Sequence, residues 1–428
     1  MRVFIRSFGC STNLADGEVL AGCLARAGYE LVDSDSSADI VVYNTCAVKG
    51  PTENRIVEAL KRIPKSKKII VAGCLPTIDL ERLVREVRFD GIAGPAAGER
   101  IVGVVDHVSR GEHVGVLDPV EHSLPELTLP RVRSSSVVSI VPISYGCLGS
   151  CAYCCVVFAR GRLKSYDIGD IVRRVRDDLK LGFQEFWLTS QDVGCYGRDK
   201  GTNLAELLGA LCAVHGDFKV RVGMMTPNKV VDMLEDLLKA FDDEHVFKFV
   251  HLPVQSGDDD VLKSMRRFYS VEEFRKVVDA FRRRFPTLTL ATDVICGFPG
   301  ENDAAFNKTL QLIEQVKPDI VNVSKFFARP KTPAAEMRAH FLPLAEIKKR
   351  STAAAALAKK IAFENNQQWV GWKGCILVDE KGKVPGSWVG RNLAYKPVTI
   401  KAAENIMGKN LSVNVKKAFP TYLEGSQA

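Results

Sequence analysis

Hydrophobic and polar positions along this chain switch repeatedly between a period of two and a period near 3.6. Over residues 1 to 115, the apolar or β-branched runs at 3–8, 40–43 and 68–72 read as strands, and 14–27, 52–63 and 80–87 carry helical spacing. Such alternation predicts a parallel sheet covered by helices. Residues 106–130 have weak periodicity and several His, Gly and Pro, which predicts a connecting hairpin or linker, set at 116–134. From 135 to 366 a strand-then-helix pattern repeats six times. The expected strands are 137–144, 185–189, 219–225, 247–254, 289–295 and 320–326. The expected helices are 168–181, 204–214, 229–241, 271–285, 304–316 and 344–365. Six such units predict a partial (βα)6 barrel, an open relative of the eight-unit barrel, with its chemistry in the loops at the carboxyl ends of the strands. Short strands at 373–378, 387–393, 398–400 and 411–417, parted by Gly, Lys and Asn turns, predict a small β-barrel over 367–428. The expected fold class is α/β, with this all-β tail as a third unit.

Composition adds limits. Hydrophobic residues at 46% and charged residues at 26% are ordinary for a globular chain, and no apolar run approaches the roughly 20 residues of a membrane span. The first residues read as a strand rather than a signal peptide. Twelve cysteines without an export signal suit a reducing compartment, and metal rather than disulfides, so a cytoplasmic protein with no membrane partner is expected. From Gln367 onward nine Lys/Arg face four Asp/Glu, so the tail carries +5 of the net +8. A basic terminal module suits a polyanion such as RNA, although excess lysine equally suits a solvated surface.

The cysteines carry the most specific signal. Cys147, Cys151 and Cys154 form a CxxxCxxC run with Gly146 and Gly149 on the loop after the first barrel strand. Iron–sulfur cubes normally take four thiolates, so a compact set of three leaves one iron open. A zinc site or buried free thiols are the alternatives, but zinc favours paired CxxC or Cys/His spacing. Cys10, Cys46 and Cys74 each follow an expected strand of the first unit, where ligands of open α/β sheets gather. Gly9, Gly73 and Asn44 allow tight turns there. Spacing alone leaves these three between a second metal site and small buried residues. Cys23, Cys155, Cys195, Cys212, Cys296 and Cys375 read as packing. Polar residues on the other barrel loops, Gln191, Asp192, Gln255, Ser256, Asp293 and Glu301, are expected to grip a cofactor or substrate from the rim.

Taken together, these motifs resemble the radical S-adenosylmethionine (SAM) superfamily, and within it the methylthiotransferases. The resemblance rests on Gly146-Cys…Cys-Ala-Tyr-Cys154, Arg160-Gly-Arg162, His251-Leu-Pro-Val-Gln-Ser-Gly257, Met265-Arg-Arg267 with Tyr269, the run Thr292 to Glu301, Arg329-Pro-Lys-Thr332 and the trio Cys10, Cys46 and Cys74. It spans nearly the whole chain in order. Thr189-Ser-Gln-Asp-Val-Gly-Cys-Tyr-Gly-Arg-Asp199 most resembles the archaeal and eukaryotic branch acting on N6-threonylcarbamoyladenosine in tRNA, with Cys195 where a small residue is usual. Other branches act on isopentenyladenosine in tRNA or on a ribosomal-protein aspartate. A non-catalytic RNA-binding iron–sulfur protein is the alternative from another class. The resemblance implies two 4Fe-4S clusters, one on Cys147, Cys151 and Cys154 and one on Cys10, Cys46 and Cys74. It also implies two SAM molecules per turnover, and an electron donor and a sulfur source that this sequence does not identify. The tail resembles a TRAM domain, which implies RNA contacts from Arg391, Tyr395 and Lys396, with Trp388 as a further stacking residue; Tyr395 and Trp388 equally suit the barrel core.

Overall fold

The computed structural model describes residues 1–47, 50–117 and 124–428. Its first unit is an all-parallel six-stranded sheet in the order Glu30–Leu31, Arg2–Ser7, Ile40–Thr45, Lys68–Gly73, Gly91–Ala93, Val114–Val116. Every residue of Ile40–Thr45 is buried, as an inner parallel strand requires. Ile40 and Val42 face Leu20, Leu24 and Val105 of the helices Ser11–Arg26 and Arg100–Ser109. Val41 and Tyr43 belong to the opposite core, with Ile56, Leu60 and Leu83 of Gly50–Lys61 and Leu80–Glu86. The expected connecting segment is corrected in part. Arg100–Ser109 is a helix and Val114–Val116 is the edge strand paired to Gly91–Ala93, and both are too short or too Gly-interrupted to leave a clear period. Further on, Leu127 and Leu129 are buried, and residues 118–123 of that segment lie outside the described residues.

The middle unit has two three-stranded parallel sheets. One joins Val138–Pro142, Glu185–Thr189 and Lys219–Val222, and the other joins Phe249–His251, Thr289–Cys296 and Ile320–Lys325. Single bridges at Val220–Val246 and Met224–His251 link them into one open six-stranded wall in sequence order. All six expected strands are present. The expected helix at 229–241 is broken into Pro227–Val230, a 3-10 turn and Leu234–Asp242. Neither edge of the wall is left bare: Ser11–Arg26 lies on Val138–Pro142 and the long helix Leu344–Gln367 lies on Ile320–Lys325. Among the described residues no helix is long and apolar enough to cross a membrane.

The tail closes into a five-stranded barrel, Lys373–Lys381, Ser387–Arg391, Pro397–Lys401, Leu423–Gln427, Asn410–Ala418. Its closing strand, Leu423–Gln427, escapes the sequence pattern because only Leu423 is buried. Trp388 fills the barrel core with Val398 and Ile400 and donates to the Ala402 carbonyl at 3.2 Å.

Three expected RNA contacts are placed elsewhere, in the joint between tail and middle unit. The Tyr395 ring packs on Phe247 and Phe249, with centroids 4.8 and 5.1 Å away, and its hydroxyl donates to Glu185 Oε1 at 3.1 Å. Arg391 donates to Asp379 at 3.1 Å. The buried Lys396 ammonium donates to Asp319 at 2.6 Å and to Asn366 at 2.9 Å. Basic and aromatic side chains carry the same composition signal in either setting; here their neighbours are protein.

Lys396→Ala leaves Asp319 without its buried partner, and a loss of about 3 kcal/mol is expected from urea unfolding. A loss below about 0.5 kcal/mol, the scale of an exposed pair, would refute that role. Glu185 gives a pH test. Burial first, then the charge of Asp379, pushes its carboxyl up to about 7 from 4.5. The folded chain therefore holds this proton more tightly than the unfolded chain, and the stability contribution falls as pH rises between those values, then levels off. Glu185→Gln is expected to gain stability relative to wild type at about pH 8 compared with about pH 5, read from urea midpoints. Equal differences at both pH values would exclude the assignment.

Candidate active site

Cys10 precedes the helix Ser11–Arg26, Cys46 follows the strand Ile40–Thr45, and Cys74 opens the short helix Cys74–Ile78, so all three stand at one end of the sheet. A polar ladder locks their loops together. Asn13 donates through Nδ2 to Asn44 Oδ1 at 2.9 Å and to the Thr45 carbonyl at 3.2 Å. Asn44 returns a bond to the Asn13 carbonyl at 2.7 Å, and the Thr45 hydroxyl donates to the Ala72 carbonyl at 2.6 Å. Gly9, at φ 123°, has no room for a side chain: a Cβ would sit 2.7 Å from Cys46 Cβ. Burial raises the Cys74 thiol to about 12, against the pull of Arg160.

On the barrel loop, Gly149 N–H donates to Cys147 Sγ at 3.2 Å, and Arg267 Nη1 donates to Cys151 Sγ at 3.2 Å. A Cβ on Gly149 would come within 3.2 Å of Cys147 Sγ and 3.6 Å of Cys151 Sγ, so glycine keeps the space between the two sulfurs clear. Burial pushes the Cys154 thiol up. Cys147 is drawn below the usual thiol range, first by a hydrogen bond from Cys195. Cys195 also donates to Asp192 Oδ2 at 3.4 Å. Sequence spacing leaves Cys195 as packing; the fold seats it against the cysteine loop.

All six of these cysteines line one cavity of about 440 Å³. Gln191, Asp192, Gln255 and Asp293 line it too. Gln191 Oε1, Ser190 Oγ and Asn228 Oδ1 are buried there without a hydrogen-bond partner among the described residues, as the wall of a polar-ligand site would be. Asp192 is largely committed, since its Oδ1 accepts from the backbone N–H groups of Gly194 and Thr226, each at 3.1 Å. Asp293 shares a hydrogen bond with His251 Nε2 at 3.1 Å and accepts from Asn322 at 2.7 Å. Gln255 sits in the left-handed region at φ 71°, which turns the chain at the rim. The expected roles of Ser256 and Glu301 are corrected, because both lie outside the cavity. Ser256 is fully buried with its hydroxyl on Thr309 and Asp258 N–H, and Glu301 pairs with Arg350 at 2.8 Å.

Among the described residues no three His, Cys, Asp or Glu side chains converge tightly enough to share a single metal ion. The two cysteine sets are joined across the units by Arg160 and Asp16, both only 2% exposed, at 2.7 Å, with Tyr145 OH donating to the other Asp16 oxygen at 2.6 Å. Ser11 and Thr12 share hydrogen bonds with Thr189 at 2.6 and 2.9 Å.

Comparisons with known proteins agree with this layout. Family models match in three blocks: "Uncharacterized protein family UPF0004" over residues 2–94, "Radical SAM superfamily" over 141–313 and "TRAM domain" over 370–427. The chain is 43% identical over 427 residues to a probable threonylcarbamoyladenosine tRNA methylthiotransferase of Pyrococcus abyssi, covering 99% of each. It is 35% identical to the threonylcarbamoyladenosine tRNA methylthiotransferase of Homo sapiens, covering 99% of this chain and 73% of the human one. The chain belongs to the threonylcarbamoyladenosine tRNA methylthiotransferase family. The solved structure of the radical SAM methyltransferase TsrM from Kitasatospora setae shares the fold at a TM-score of 0.57 and 14% identity, covering 94% of this chain and 80% of that one. As a radical SAM protein, this methylthiotransferase family member takes SAM and a 4Fe-4S cluster.

The Arg160–Asp16 pair is open to test. Arg160→Met strands a buried carboxylate and is expected to cost about 3 to 5 kcal/mol in urea unfolding, with Asp16→Asn in the same chain recovering part of it. A single variant within about 0.5 kcal/mol of wild type would show that the pair does not hold the units together.

Proposed function

We propose that this protein inserts a methylthio group at carbon 2 of N6-threonylcarbamoyladenosine, next to the anticodon of tRNA. The observation that carries the reading is the single cavity shared by two separate sets of three thiols. In it, Cys147, Cys151 and Cys154 hold one 4Fe-4S cluster and Cys10, Cys46 and Cys74 hold a second, each set one thiolate short of a closed cube. When bound, the clusters and SAM supply the one-electron chemistry and the sulfur that carbon 2 requires, since that position carries no proton acidic enough for an ordinary base. The chain's own part is to hold and shield these groups. Gly149 N–H and Arg267 donate hydrogen bonds to the sulfurs of Cys147 and Cys151, and Arg160 puts a buried positive charge beside Cys74 and Cys10. Gln191, Asp192, Gln255 and Asp293 offer the polar contacts for SAM or the nucleoside from the rim.

With Arg391 and Lys396 committed to protein partners, phosphate contacts from the tail fall to its exposed lysines, among them Lys373, Lys383, Lys401, Lys416 and Lys417. Twelve unbridged thiols suit a reducing cytoplasm.

After anaerobic reconstitution the wild type is expected to carry about eight irons per chain, and a variant with Cys10→Ala, Cys46→Ala and Cys74→Ala about four. Nucleoside digests of tRNA from cells making the wild type are expected to contain the methylthio nucleoside, and those from cells making the variant to lack it. Equal iron in both chains, or methylthio product from the variant, would overturn the role given to the N-terminal cysteines. A digest showing methylthio-isopentenyladenosine instead would move the substrate to the other tRNA branch.

A further inference from the structure

Between the helices Asp259–Ser264 and Val271–Arg284, residues 265–269 form a loop whose alternate side chains go opposite ways. Met265 is fully buried, and its carbonyl accepts from Ala152 N–H, in the cysteine loop, at 2.9 Å. Arg267 donates to Cys151 Sγ at 3.2 Å and to Tyr269 Oη at 3.0 Å. Tyr269 OH in turn reaches the carbonyls of Pro253 and Val254 at 2.9 and 2.8 Å. These three residues fasten the loop to the cysteine loop and to the fourth barrel loop.

The other two residues are unspent. Arg266 is exposed, lies in the left-handed region at φ 55°, and makes no side-chain hydrogen bond or ion pair among the described residues. Phe268 is 70% exposed and meets no other aromatic ring among the described residues. Both line the cavity that holds the six cysteines, as does the exposed Leu148. The loop on either side of this ring is tied down by residues 265, 267 and 269, which fixes the backbone from which the ring projects. An aromatic ring and a guanidinium two residues apart on one anchored loop lining the site match single-stranded nucleic acid, where a base stacks on the ring and its phosphate meets the cation.

We propose that Phe268 and Arg266 form a platform for the RNA beside the target nucleoside. Phe268 stacks on a base flanking the adenosine that enters the cavity, and Arg266 takes a phosphate of that neighbour. The need for it follows from the substrate: an adenosine drawn out of its stack leaves its neighbour's face bare, and a ring that takes up that face offsets the unstacking cost. This inference rests on the tRNA reading above.

The probe is a synthetic anticodon stem-loop RNA containing N6-threonylcarbamoyladenosine, titrated onto anaerobically reconstituted full-length protein at two salt concentrations, with iron measured on every sample. Phe268→Ala and Phe268→Leu are each expected to raise Kd roughly tenfold, and Phe268→Trp to stay within about twofold of wild type. Arg266→Ala is expected to lower the slope of log Kd against log salt by about 0.7. If Kd in both the Ala and Leu variants stays within about twofold of wild type, the platform is excluded. Lost affinity accompanied by lost iron in both would overturn it in favour of a purely structural loop. A wild type that does not bind the stem-loop overturns the tRNA reading and this inference together, a result distinct from a failure confined to the variants.

Discussion

The geometry of this protein depends on a buried ion pair between units. Arg160, from the barrel's first loop, and Asp16, from the first helix of the chain, meet at 2.7 Å almost out of reach of water. Desolvating both charges is costly, and such a pair adds little stability over well-packed apolar residues, but breaking it leaves a bare charge inside. Its effect is to make one docking arrangement far better than its neighbours. A second pair does the same on the other side. Arg329, from the last barrel loop, meets Glu53 of the first unit at 2.5 Å, and Glu53 also receives Arg82. With the units fixed at these points, the two cysteine sets have to face each other across one cavity.

That cavity needs emptiness as much as it needs ligands. Gly9 and Gly149 stand where any side chain would run into the sulfurs, and the hydrogen bonds among Asn13, Asn44 and Thr45 hold the N-terminal loops without using a cysteine. Arg160 Nη1 is buried with no hydrogen-bond partner of good geometry among the described residues, while the thiols of Cys74 and Cys10 act on its charge. An unpaired donor at that place is costly alone and favourable beside thiolates carrying negative charge.

The barrel strands were legible in the sequence because apolar periodicity is local, and Cys147, Cys151 and Cys154 stood out by their spacing. Cys10, Cys46 and Cys74 were set apart from buried packing only by the family resemblance, and the fold brings both sets to one cavity. What pairs across units was not legible. Arg160 and Asp16 are 144 residues apart, and each alone looks like a surface charge. Ser256 and Glu301 have the loop positions of rim residues, yet Gln255, in the left-handed region, faces the cavity while its neighbour Ser256 turns inward to Thr309. Strands of two or three residues, such as Glu30–Leu31 and Gly91–Ala93, are too short to show a period and exist because a neighbour pairs with them.

The tail matches the expected TRAM domain, but Arg391, Tyr395 and Lys396 face protein neighbours. It docks at the amino ends of the barrel strands, away from the cysteine loops: Glu185, which receives Tyr395, is the first residue of Glu185–Thr189, and Thr189 at the other end meets Ser11 and Thr12. One five-residue strand, about 17 Å long, therefore touches the tail at one end and the first unit at the other. The tail's positive charge thus has two uses. Lys396 is spent inward on Asp319 of the middle unit, where it fixes the tail, Arg391 is spent within the tail on Asp379 and Glu380, and the exposed lysines are left for a polyanion. Were all nine cations on the outer face, the tail would attract RNA but have no charged anchor to hold it at a fixed distance from the site. Because Lys396 is buried in the joint, a tRNA held on the tail, as the proposed function has it, is also held in register with the cavity, which is what delivery of one particular nucleoside demands.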